Sequence, residues 1–95
     1  MSNYYTTVID VLERMSGLSE AEILGGRCEL CTDYRSILVE LLLKKYSNGE
    51  VVALTGITRQ SVSRIMAAHD NRVKHKYTMR MAQRDAEREV CGITD

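Results

Sequence analysis

Apolar side chains recur along this chain with a helical rhythm almost from its start. Tyr5, Val8, Ile9, Leu12 and Met15 follow at intervals of three, one, three and three, the stripe of an amphipathic helix over residues 4–15. Ser16-Gly17 stops it. Ser19-Glu20-Ala21-Glu22 has capping-box spacing: the serine hydroxyl takes a free backbone N–H and Glu22 reaches back to the cap. The short helix it opens is expected to end at Gly25-Gly26. Residues 26–32 read as a loop, with Thr32 or Asp33 capping the next helix. That helix runs to about Tyr46. Tyr34, Ile37, Leu38, Leu41, Leu42 and Tyr46 give it a broad apolar face, so it is expected to be the most buried element.

The second half is more finely divided. Ser47-Asn48-Gly49 reads as a turn, and Glu50 to Thr55 as a short helix with Val51, Val52 and Leu54 inward. Gly56 and Ile57 follow, and Thr58 is placed to cap a helix whose apolar positions are Val62, Ile65, Met66, His69 and Val73. A weak break is predicted between Lys74 and Thr78. A final helix then carries Met79, Ala82, Ala86 and Val90, with residues 85–95 an acidic tail prone to fraying. No internal repeat appears. The chain of 95 residues lacks proline, tryptophan and phenylalanine, and it has few β-branched runs. The expected fold is one all-α domain over 1–95, a small bundle of five to six helices.

Charge changes the picture by its distribution. Thirteen Lys and Arg offset thirteen Asp and Glu, yet the net charge is −4 over residues 1–33, +7 over 34–84 and −3 over 85–95. A basic middle between acidic ends is what a polyanion-binding face needs, and it is equally what solvated helix faces look like. The stretch from Gly49 to Met66, within a unit spanning about 50–70, has the physics of a helix-turn-helix. Gly56 supplies the left-handed turn, Ile57 plugs the space between the helices, and Val62 and Ile65 face the core. Arg59, Gln60, Ser61, Ser63 and Arg64 then face outward, a set of donors suited to base edges and phosphates.

The run Gly56-Ile57-Thr58-Arg59-Gln60-Ser61-Val62-Ser63-Arg64-Ile65 resembles the turn and recognition helix of lac-repressor-type regulators. That resemblance implies base contacts from Arg59, Gln60 and Arg64 and phosphate contacts from Thr58 and Ser63. Over most of the chain, the order of helix, Leu-Ser-Glu-Ala-Glu-Ile-Leu helix, Gly-Gly-Arg loop, long Leu-rich helix and helix-turn-helix is similar to the C-terminal duplex-DNA-binding domain of the replication initiator DnaA. That domain is a relative of the Trp-repressor fold, and its basic loop residue matches Arg27. The family has Arg-Asp-His-Thr-Thr where this chain has Ile57-Thr58-Arg59-Gln60-Ser61, and its arginine-rich loop is here Arg27-Cys28-Glu29-Leu30-Cys31. The resemblance therefore implies architecture and duplex-DNA binding, not replication initiation.

The expected function is sequence-specific double-stranded DNA binding, in transcriptional regulation or a replication-related role. Arg59, Gln60 and Arg64 are the base-contact candidates. Thr58, Ser61, Ser63, Lys44, Lys45, Arg27, Arg72 and Lys74 are the phosphate candidates. A homodimer fits this reading, because one short recognition helix binds weakly alone. The alternative is a protein–protein interaction module that keeps the helix-turn-helix frame without DNA affinity. Cys28-x-x-Cys31 is half of a zinc pattern, with His69, His75 and Cys91 the remaining candidate ligands. The two histidines fall on different helix faces, so no metal is expected; of zinc binding, redox chemistry and buried or idle thiols, the last is the favoured reading. The odd cysteine count and the lack of a targeting or membrane-spanning segment place the protein, as an expectation, in the reducing cytoplasm. No phosphate loop, nucleophile elbow or His-Glu-x-x-His is present, and no catalysis, cofactor or small-molecule substrate is expected.

Overall fold

A computed structural model describes residues 3–94 as six helices with no strand among them. They are α1 (Tyr4–Ser16), α2 (Glu20–Gly25), α3 (Glu29–Leu43), α4 (Asn48–Thr55), α5 (Arg59–His75) and α6 (Tyr77–Thr94). Asn3 caps α1 by accepting the Thr6 N–H at 2.8 Å, and Gly17 closes it in the left-handed conformation at φ 76°. The capping box at Ser19 forms as its spacing predicts. A second one, Ser47 with Glu50, starts α4 two residues before the expected position, so the Asn48-Gly49 pair lies inside the helix and is not a turn. Between α5 and α6 the break is a single extended residue, Lys76.

The start of α3 departs from expectation. Residues 26–32 are not a loop: the helix begins at Glu29, and neither Thr32 nor Asp33 is its cap. Cys28 is, with its sulfur accepting the Cys31 N–H at 3.0 Å and its carbonyl accepting the Thr32 hydroxyl at 3.2 Å. The guanidinium of Arg35 holds the approach to α3 in place. It donates from Nε to the Ile23 carbonyl at 2.9 Å and from Nη2 to the Gly26 carbonyl at 2.5 Å, stitching the end of α2 to α3. Burial among these helices pulls the Arg35 pKa down from its usual value, yet an arginine stays charged at any working pH.

α3 packs against all five other helices. Ile37, Leu38, Val39 and Leu42 are fully buried, and because three of them are consecutive, they cover about 200° of the helix circumference. α1 lays Val8, Val11 and Leu12 on the core, α2 adds Ile23, and α6 packs chiefly against α1 and α5 and brings Met79, Ala86 and Val90 to the same core. The acidic stretch from residue 85 continues α6 to Thr94 and supplies two of those three residues. Asp95 lies outside the described residues. In α4, Val51 is buried as expected, but Leu54 is 37 % exposed and Thr55 faces inward, its hydroxyl donating to the Val51 carbonyl at 2.7 Å.

Polar side chains tie α3 to α6. Gln83 is buried and gives both amide hydrogens to carboxylates, Glu40 at 2.7 Å and Glu87 at 2.8 Å. Its carbonyl oxygen is buried with no hydrogen-bond partner. Lys44 adds an ion pair to Glu87 at 3.0 Å. Burial by itself raises the Glu87 pKa, but the Gln83 amide and the Lys44 ammonium outweigh it and hold the carboxyl below its usual range. A depressed folded pKa contributes stability above the unfolded carboxylate pKa and loses it as pH falls through the folded value. Melting temperatures of wild type and Glu87→Gln, measured from neutral to strongly acid pH, should therefore converge at the acid end. Leu38→Ala should cost about 2–5 kcal/mol in urea unfolding, since no neighbour is free to fill the cavity.

Candidate nucleic-acid interface

α4 and α5 meet at a turn of three residues, Gly56 to Thr58. Gly56 takes φ 76°, a conformation that costs a residue with a Cβ about 1–2 kcal/mol. Its N–H closes α4 on the Val52 carbonyl at 2.9 Å. The Ile57 N–H goes to the Thr55 hydroxyl at 3.1 Å, and the Ile57 side chain packs on the core between the two helices. Thr58 caps α5 by accepting the Ser61 N–H at 3.1 Å. Because its hydroxyl donates to the Ser61 oxygen at 2.9 Å, its one hydrogen is committed, and Ser61 keeps the free O–H of this pair.

The first half of α5 has two opposite faces. Val62, Ile65, Met66 and His69 turn to the bundle, with Val62 and His69 fully covered. The His69 Nδ1 stands 3.2 Å from the Ser36 hydroxyl, whose hydrogen goes to the Asp33 carbonyl. This histidine is packed and hydrogen-bonded, as its place on the apolar stripe suggested. On the other face, Arg59, Gln60, Ser63, Arg64 and Ala67 are all exposed. At 100° per residue they occupy about 140° of the circumference and about 12 Å of axis. Lys74, three turns on, is exposed on the same side, and Asp70 interrupts the row with an exposed carboxylate. The Arg59 guanidinium folds back towards α4, 3.7 Å from where a Gly49 Cβ would stand.

A groove of about 450 Å³ runs beside the turn, lined in part by Gly25, Arg35, Thr58, Ser61 and Arg64. The α2–α3 connection, with exposed Arg27 two residues beyond Gly25, thus borders the outward face of α5. The other basic candidates are engaged elsewhere. Lys44 pairs with Glu87 and, at 3.8 Å, with Glu40. Lys45 lies over the Tyr4 ring, 5.1 Å from its centroid. Arg72 is bound to Asp33 at 3.1 Å, an acid that Lys76 also contacts. Arg35, a cation in the groove wall, was not among the expected residues. Its position on a helix with a broad apolar face gave no signal that it reaches two carbonyls.

No family model, no curated protein and no solved structure matches this chain. No helix among the described residues is long and apolar enough to cross a membrane. Gly56→Ala should lower stability by about 1 kcal/mol in chemical denaturation without loss of helical circular dichroism, because it strains the turn and removes no contact.

Proposed function

We propose that the α4–turn–α5 unit is a helix-turn-helix and that the protein binds double-stranded DNA with the first half of α5 in the major groove. The observation that carries the reading is the outward row Arg59, Gln60, Ser63, Arg64, backed by a buried face that holds α5 rigid. A helix with its side chains is about 10–12 Å across, which suits a major groove about 12 Å wide. Arg59, Gln60 and Arg64 carry the donors that read base edges. Ser61, Ser63, Arg27 and Lys74 are the free phosphate donors. Lys44, Lys45, Arg72 and the Thr58 hydroxyl rank below them, since each already has a partner. Duplex selection from a random pool, followed by sequencing, tests for a preferred site and for a palindrome, the mark of a dimer.

On the selected site, Arg64→Ala should cost about 1–3 kcal/mol and relax preference at one position. Lys74→Ala should weaken specific and random duplex alike and reduce the salt slope by about one. Fluorescence anisotropy at several salt concentrations reads both. The second reading, a protein-interaction module with the same frame, is favoured by the zero net charge and by Asp70 within the row. Salt-independent or absent binding to random duplex at low ionic strength would select it over DNA binding.

A further inference from the structure

The two cysteines at the head of α3 do not behave as the idle thiols expected from their number. Cys28 and Cys31 are joined as a disulfide, with Cα atoms 5.1 Å apart, and Cys91 is left free and exposed on α6. The two sulfurs are unequal. Cys28 is exposed, whereas Cys31 is 2 % exposed and packs on the Gly26 backbone so closely that a Cβ there would meet its sulfur at 2.6 Å. Among the described residues no group of three or more His, Cys, Asp or Glu is placed to hold a metal ion. A bridge that closes so short a loop removes little freedom from the unfolded chain, so stabilisation is a weak reason for it.

We propose that Cys28 and Cys31 form a thiol–disulfide exchange site, reduced by a dithiol and reoxidised by a disulfide, with Cys28 as the attacked and attacking sulfur. Access selects Cys28, since the Cys31 sulfur is covered. The fold also favours a thiolate at Cys28. Its sulfur accepts the Cys31 N–H at the first turn of a 15-residue helix, where free amides and the helix dipole stabilise negative charge. The acid beside it, Glu29, is neutralised by an ion pair with Lys76, which also holds the Glu29 pKa below its usual value through that hydrogen bond.

One thiolate of the dithiol attacks Sγ of Cys28, the Cys28–Cys31 bond breaks, and Cys31 leaves as a thiolate that takes a proton. The reductant's second thiolate attacks its own sulfur in the mixed disulfide, and Cys28 leaves as a thiolate and is protonated. Two electrons and two protons have passed from the dithiol to the protein, and the reductant is released as its disulfide. None of this depends on the DNA reading.

The test equilibrates the folded chain with graded ratios of reduced to oxidised dithiothreitol, traps thiols with N-ethylmaleimide and reads intact mass. The expected result is a direct passage from one adduct, at Cys91, to three, with the two added ones mapping to Cys28 and Cys31. In Cys31→Ser, Cys28 should react with a small aromatic disulfide about tenfold faster than Cys91 at neutral pH. Should that variant lose its helical circular dichroism, the same comparison is made on reduced wild type by peptide mapping. Three adducts at every ratio, one adduct at every ratio, equal rates at Cys28 and Cys91, or a zinc ion retained by the reduced pair in native mass spectrometry would each overturn the proposal.

Discussion

The structure depends on one constraint: the apolar face of α3 spans more than half of its circumference and must be covered from several directions at once. Ile37, Leu38, Val39 and Leu42 span about 200° of its circumference, and all five other helices pack against this one. The polar residues that α3 does carry are cross-ties at its edges. Arg35 reaches two carbonyls at the end of α2, Asp33 meets Arg72 and Lys76, Ser36 meets His69, and Glu40 meets Gln83. Each satisfies a group whose burial alone would be costly, and each fixes the rotation of a neighbour about α3. The outward row of α5 is a by-product of this packing. Once Val62 and His69 are committed to α3, Arg59, Gln60 and Arg64 have only solvent to face.

Much of this was legible in the sequence because a 3.6-residue period reports burial directly. The apolar stripes of α1, α5 and α6 and the central place of α3 follow from it. The capping box at Ser19 was readable and the identical spacing at Ser47 was not, since Asn48-Gly49 carries a turn signal that the box overrides once Glu50 reaches back. Leu54 and Thr55 exchanged roles for a related reason. In a helix of eight residues the turn's demand for a buried hydroxyl at Thr55, which holds the Ile57 amide, outweighs the burial of one leucine. The candidate interface was legible as a face but not as a set of free donors. Lys44 is taken by Glu87 forty-three residues away, and Arg72 by Asp33 thirty-nine away, pairings that no local pattern encodes.

The cysteines make the same point about counting. An odd total argued against pairing, yet it requires only that one thiol be left over, and Cys91 is that thiol. The spacing carried more information than the parity. Placed at a helix cap and its third residue, two cysteines are brought within bridging reach by the backbone itself, the arrangement by which Asn3 and Ser19 also reach back to the third residue. Cysteine is not a residue that helix-cap patterns anticipate, so the sequence pattern alone predicts a loop at the head of α3.

Lys76 is the sole residue between α5 and α6, and it leaves no slack. Its N–H donates to the Arg72 carbonyl at 2.9 Å, its carbonyl accepts the Arg80 N–H at 3.0 Å, and its side chain is anchored to Glu29 and Asp33 at the head of α3. An insertion or deletion of one residue at this corner would turn α6 by about 100° about its own axis. Met79, Ala86 and Val90 would rotate out of the core and charged positions such as Arg80 and Glu87 would swing towards it. The angle between the last two helices is thus inherited from a joint only one residue long.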